Sequence, residues 1–265
     1  MTPEFSYCVL DSAGAVVVES DADRVHSTAS VGKIFLLCAA AELIASGQLD
    51  PDGLVRRHPG MRVADSGLWQ HLRQEELPIA DVCLLIAAVS DNWATNTLLD
   101  IVGVDAAQSR ARALGCQHSA LHDQVRDTRL AEHPPRLSSG TARELAEVAR
   151  RIHCAAAGEQ VDGITPYAAA LVEQWLLTGV DLSLVGAHFS LDPLAHMTGD
   201  VRLWSKTGCD TTVRADVGVA WRAERVLAYA ALASWQTGAD LDENPVDLMN
   251  ALGRRLAGDL RRATD

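Results

Sequence analysis

Residues Ile34 to Ala41 are apolar without interruption, and a helix made from them has no polar face to turn toward water. Such a helix has to be surrounded by protein on every side. The chain must therefore fold as a domain large enough to bury one helix completely, which 265 residues allow. Gly47 is the expected stop of this helix. Immediately before the run stand Ser30 and Lys33, a hydroxyl and an amine three residues apart at the start of this apolar helix.

The lysine is informative. Of the 23 basic residues only Lys33 and Lys206 are lysines; the other 21 are arginines. Arginine keeps its charge in any protein environment, whereas a buried lysine can lose its proton, so lysine is needed where an amine must accept one. The order of elements frames both positions. Phe5 to Leu10 and Ala15 to Glu19 read as strands joined by the turn cluster Asp11-Ser12-Ala13-Gly14. Pro78 opens a helix from Ile79 to Val89, and a second from Ala94 to Val102 follows the polar elbow Ser90-Asp91-Asn92. Thr141 with Glu144 is a capping box, and Thr165-Pro166 and Gly179 bracket another helix. Strands return at Val201 to Thr207, Val213 to Arg222 and Val226 to Ser234, and Asn244-Pro245 starts a last helix. The expected architecture is α+β, an antiparallel sheet completed by both chain ends (1–29 and 196–265) with a mainly helical insert (30–195).

Composition excludes several classes of partner. A formal net charge of −12 repels phosphate backbones, so nucleic acid is not expected. No apolar run is long enough to span a bilayer, and no basic, apolar and cleavable leader opens the sequence, which suits a cytoplasmic location. The six cysteines show no Cys-x-x-Cys spacing and read as reduced core residues. The nine histidines make no paired ligand spacing, so neither a metal nor another cofactor is expected.

Three short motifs carry the chemistry. Ser30-Val31-Gly32-Lys33 sets hydroxyl and amine on one face beside unsatisfied helix N–H groups, although alone it also describes a capping serine and a surface lysine. Ser90-Asp91-Asn92 can present polar groups from its elbow or simply cap a helix. Lys206-Thr207-Gly208 lies on an expected strand, with a glycine that permits close backbone approach. An edge-strand lysine that discourages aggregation would look the same.

Together and in this order, Ser-x-x-Lys, Ser-Asp-Asn and Lys-Thr-Gly resemble the motif set of class A β-lactamases and penicillin-binding proteins. The 60 residues from Ser30 to Ser90 and the asparagine at Asn96 fit the same pattern, and both lysines fall inside motifs. The resemblance implies that Ser30 is the acylated nucleophile, Lys33 its proton acceptor, Ser90 a relay to the leaving nitrogen and Asn92 a substrate partner. It further implies that Lys206 and Thr207 hold a substrate carboxylate, and that backbone N–H groups of Ser30 and Cys209 form the oxyanion hole. Gly208 and Cys209 would wall the substrate site. The implied substrate is a small acyl compound bearing a carboxylate.

The sequence departs from the family at one position. The glutamate that activates water to release the acyl-enzyme is replaced, on counting from Asn92 and back from Thr141, by Val125. Asp123 and Asp127 are the nearest carboxylates and the candidate replacements; both also suit a surface loop pairing with Arg126 or Arg129. Arg214 is a candidate second cation for a substrate carboxylate, or an ion-pair partner of Asp216 across the pleat. The expectation is an acyl-enzyme on Ser30 from an amide, lactam or ester carbonyl with weak β-lactam turnover. The alternatives are a cytosolic esterase, amidase or acyltransferase of a biosynthetic pathway, or a sensor that acylates once and holds the adduct.

Overall fold

The computed structural model describes residues 1–262. The chain opens with β1 (Glu4–Asp11), β2 (Val16–Ser20) and β3 (His26–Ser27), then a 3₁₀ turn (Ala29–Gly32) running into α1 (Lys33–Ala45). Short strands β4 (Leu54–Arg56) and β5 (Glu76–Pro78) precede α2 (Ile79–Val89), α3 (Asn92–Val102) and α4 (Val104–Ala113). After β6 (Ala120–Leu121) and β7 (Ser138–Gly140) come α5 (Ala142–Ala156) and α6 (Pro166–Leu176), and finally β8 (Arg202–Asp210), β9 (Val213–Arg222), β10 (Arg225–Ser234) and α7 (Pro245–Arg262).

Five strands form one antiparallel sheet in the order β2-β1-β10-β9-β8. The first strand lies beside the last, with Tyr7 opposite Ala231, so both ends of the chain complete the sheet. Side chains alternate along a strand, and β10 shows the consequence. Ala228, Ala230 and Leu232 join the core under the helices, while Leu227, Tyr229, Ala231 and Ala233 join a second core under α7. In α1, every residue from Lys33 to Ala41 is buried, as the unbroken apolar run requires.

Two of the helices differ from the sequence reading. The apolar helix does not begin at Ser30: the α-helix starts at Lys33, and Ser30 sits in the 3₁₀ turn before it. There the backbone is held close to β7, for a Cβ on Gly32 would lie 2.4 Å from that of Ser138. The other is α4, which the sequence reading passed over because its surface is polar and Gly103 looked like a terminator. Gly103, at φ +84°, ends α3 and begins α4 at once.

Candidate active site

Ser30 sits on a tight turn wedged between β7 and β8. Ala29 takes a positive φ of 45°, which a non-glycine residue adopts only when its surroundings enforce it. The enforcing contacts are Val31 N–H donating to Thr28 O at 3.0 Å and Ser138 Oγ donating to Ala29 O at 2.6 Å. A turn later, Lys33 is fully buried. Its Nζ donates to Ser90 O at 2.7 Å and to Asn92 Oδ1 at 2.8 Å, and lies 3.2 Å from Ser90 Oγ. The first two partners only accept, whereas the hydroxyl can donate as well. The three contacts suit an ammonium that donates to all of them as well as a neutral amine that accepts from the hydroxyl. Burial pushes the ammonium well below the usual lysine range, the nearby Lys206 charge adds to that, and Asp91 opposes it.

The Ser-Asp-Asn elbow divides its labour. Ser90 adopts the left-handed conformation, φ 56° and ψ 33°, at the end of α2, and this turns its hydroxyl toward Lys33. Asp91 is structural. One of its oxygens caps α3 by accepting from Ala94 N at 2.9 Å, and the other accepts from Leu68 N and Trp69 N at 2.7 and 2.8 Å. Gly67, at φ +125°, has no room for a side chain there, since a Cβ would meet the Asp91 carboxyl. The loop so anchored brings Ser66 to the edge of the cleft, where Asn92 N donates to Ser66 O at 3.0 Å.

On the other wall is β8, an edge strand whose lysine is nevertheless buried, 3% exposed. Lys206 Nζ donates to Thr207 O at 2.9 Å, and burial lowers its pKa to about 8, with Asp181 the largest opposing influence. A Cβ on Gly208 would lie 2.2 Å from Thr28 O and 3.1 Å from the amide nitrogens of Ser30 and Val31. Only glycine lets the strand come this near, and the approach sets Cys209 beside the Ser30 turn. Cys209 is the one exposed cysteine of the six, all of them free thiols.

Ser30 and Cys209 line two adjoining parts of one cleft. A polar part of about 740 Å³ includes Asn92, Val125 and Asp127, and a smaller part of about 200 Å³ includes Ser90, Lys206, Thr207 and Asp181. Val125 is held by Asn96, whose Oδ1 accepts from Val125 N at 2.8 Å while its Nδ2 donates to Val125 O at 2.9 Å. The two candidate carboxylates part company here. Asp127 lines the cleft and accepts from Ala64 N at 3.1 Å. Asp123 faces a different surface hollow beside Leu99 and Val104. Its oxygens are taken up by Arg126, at 2.7 and 3.1 Å, Arg129, at 2.6 Å, and its neighbour's N–H. Burial would raise its pKa, but these donors outweigh it and hold the carboxyl ionised below the usual range.

Arg214 and Asp216 form no ion pair among the described residues. Arg214 donates to the carbonyls of Asp210 and Val213, each at 2.7 Å, and stacks over Trp235 at 5.6 Å, lining neither part of the cleft. Asp216 is buried on the α7 side, accepting from Val185 N at 2.9 Å and Tyr229 Oη at 3.2 Å, and burial raises its pKa to about 7.

A profile described as the β-lactamase enzyme family matches residues 2–260. The chain belongs to the β-lactamase enzyme family. It is a serine hydrolase of that family, with the family's α+β fold. The β-lactamase from Sphaerobacter thermophilus is similar in structure at a TM-score of 0.82 and 21% identity, covering 99% of this chain and 92% of that one. PBP-A is similar at 0.79 and 17%, covering 98% and 91%; a PBP-A mutant solved as an acyl-enzyme complex with penicillin G gives the same values. A β-lactamase from Xanthomonas campestris follows at 0.78 and 19%, covering 98% and 92%. No curated protein matches.

Within this β-lactamase-family site, the parts played by three residues escaped the sequence reading. Asp181 stands in no motif, in a loop after α6, and nothing in the sequence tied it to Thr207. The anchoring role of Asp91 and Gly67 was hidden for the opposite reason, since helix capping explained Asp91 well enough.

Proposed function

We propose that the protein forms an acyl-enzyme on Ser30 from a lactam, amide or ester carbonyl and that release of the acyl group is its slow step. Ser30 Oγ gives its proton to neutral Lys33 Nζ as the Oγ–C bond forms. The negative charge that develops on the carbonyl oxygen faces the N–H groups of Ser30 and Cys209. When the C–N bond breaks, the proton reaches the leaving nitrogen through Ser90 Oγ, which leaves Lys33 neutral again. The solved PBP-A acyl-enzyme with penicillin G supports the acylation half by analogy of fold.

The observation that carries slow release is Val125. Asn96 grips its backbone from both sides and the residue lines the cleft that holds Ser30, so an isopropyl group stands where a water-activating carboxylate is needed. Asp123 is tied to two arginines and turned to another hollow. The test is the lifetime of the Ser30 adduct in Val125→Glu against wild type. Release should quicken by on the order of 10², and an unchanged lifetime would show that position 125 does not govern deacylation.

A further inference from the structure

Lys206 and Thr207 stand where relatives would hold a substrate carboxylate, but in this chain a carboxylate of the protein is already there. Asp181 Oδ2 accepts from Thr207 Oγ1 at 2.8 Å, in the same 200 Å³ hollow as Ser30 and Ser90. The loop after α6 presents it firmly: Asp181 Oδ1 accepts from both Ser183 N at 3.1 Å and Ser183 Oγ at 2.6 Å. Among the described residues Lys206 is the sole basic one lining that hollow, and its charge is met by that of Asp181. Arg214, the candidate second cation, is turned away to Asp210, Val213 and Trp235.

We propose that Asp181 is a specificity-determining residue that makes the Ser30 cleft reject acyl substrates with a carboxylate at the Thr207 end and favour those that are neutral or cationic there. The proposal rests on Ser30 being the acylated nucleophile. An incoming carboxylate loses the Thr207 hydroxyl as a donor and meets a fixed like charge, a repulsive device that discriminates without adding any contact to the preferred substrate. Burial alone would raise the Asp181 pKa, but the Ser183 and Thr207 donors and the Lys206 charge outweigh it, so the carboxylate persists at neutral pH. The net charge of −12 works in the same direction.

The test is a matched pair that differs only in that charge: penicillin G and its methyl ester, with rates of Ser30 acylation read by intact mass. An uncharged fluorophosphonate serves as the reference label. Wild type should acylate at least about tenfold faster with the ester than with the acid, and Asp181→Asn and Asp181→Ala should each bring the ratio to one or below. This ratio is taken within one protein, so a general loosening of the loop would not reverse it. Fluorophosphonate labelling of Ser30 together with faster reaction of the acid in wild type, or a ratio unmoved by both variants, would overturn the role of Asp181 alone. No label on Ser30 from any of the three probes would overturn the acyl-transfer reading and this inference with it.

Discussion

At the scale of single residues, the proposed chemistry turns on the protonation of one amine. Lys33 can accept the Ser30 proton only when neutral, and burial beside Lys206 lowers its pKa well below the usual range. Acylation should therefore rise with pH through that depressed pKa and be fully developed well below the range where a free lysine titrates. Lys33→Arg puts a permanent cation where the lysine rests neutral and cannot accept a proton; adduct formation should fall by about 10²–10⁴ with the circular dichroism spectrum retained. An adduct rate unchanged in that variant would remove Lys33 as the base. The sequence announced this residue plainly, as one of two lysines among 23 basic residues, set at the head of an unbroken apolar run. It gave no comparable sign for Asp181, whose partner Thr207 is 26 positions away and is met only through a loop conformation.

At the scale of elements, the site is a seam between the edge strand β8, the Ser30 turn and the α2–α3 elbow. Gly208 is the closest point of that seam, with no space for a Cβ against Thr28 O. Gly208→Ala should push β8 off the turn, displace the Cys209 N–H and cut acylation by on the order of 10², while far-UV spectra show the sheet intact. Full acylation in that variant would mean that the strand does not contribute to the oxyanion site. The motifs that form the seam were legible because their spacing is tied to local chemistry: a hydroxyl–amine pair, an elbow and a strand glycine. The helix-start rule carried less well. It placed Ser30 on an α-helix, whereas packing of Gly32 against Ser138 tightens that segment into a 3₁₀ turn, and such tertiary crowding leaves no mark in helix periodicity. The short strands β4 to β7 were missed for a related reason, being two or three residues long and defined by their partners.

At the scale of the whole molecule, the sheet separates two cores, and one ionisable group is buried between β9 and the α7 side. Asp216 has its carboxyl pKa raised by burial from the usual carboxylate range to about 7. The native state therefore binds more protons than the unfolded chain between those values, and this group makes stability fall as pH rises through that window. Asp216→Asn imitates the protonated form. The variant should gain melting temperature over wild type at pH 8 and show little difference near pH 4; equal gains at both would contradict a buried, titrating carboxyl. In the proposed reading acyl transfer runs through Ser30, which lies where the edge strand β8, the buried helix α1 and the helical elbow meet. The measurement that tests this most directly is intact-protein mass during incubation with excess penicillin G and with a p-nitrophenyl ester, in wild type and in Ser30→Ala. We expect a single covalent adduct in wild type, absent from Ser30→Ala and persisting for minutes to hours. An adduct of equal yield in Ser30→Ala, or one in wild type that clears within seconds as product accumulates, would contradict slow release from Ser30.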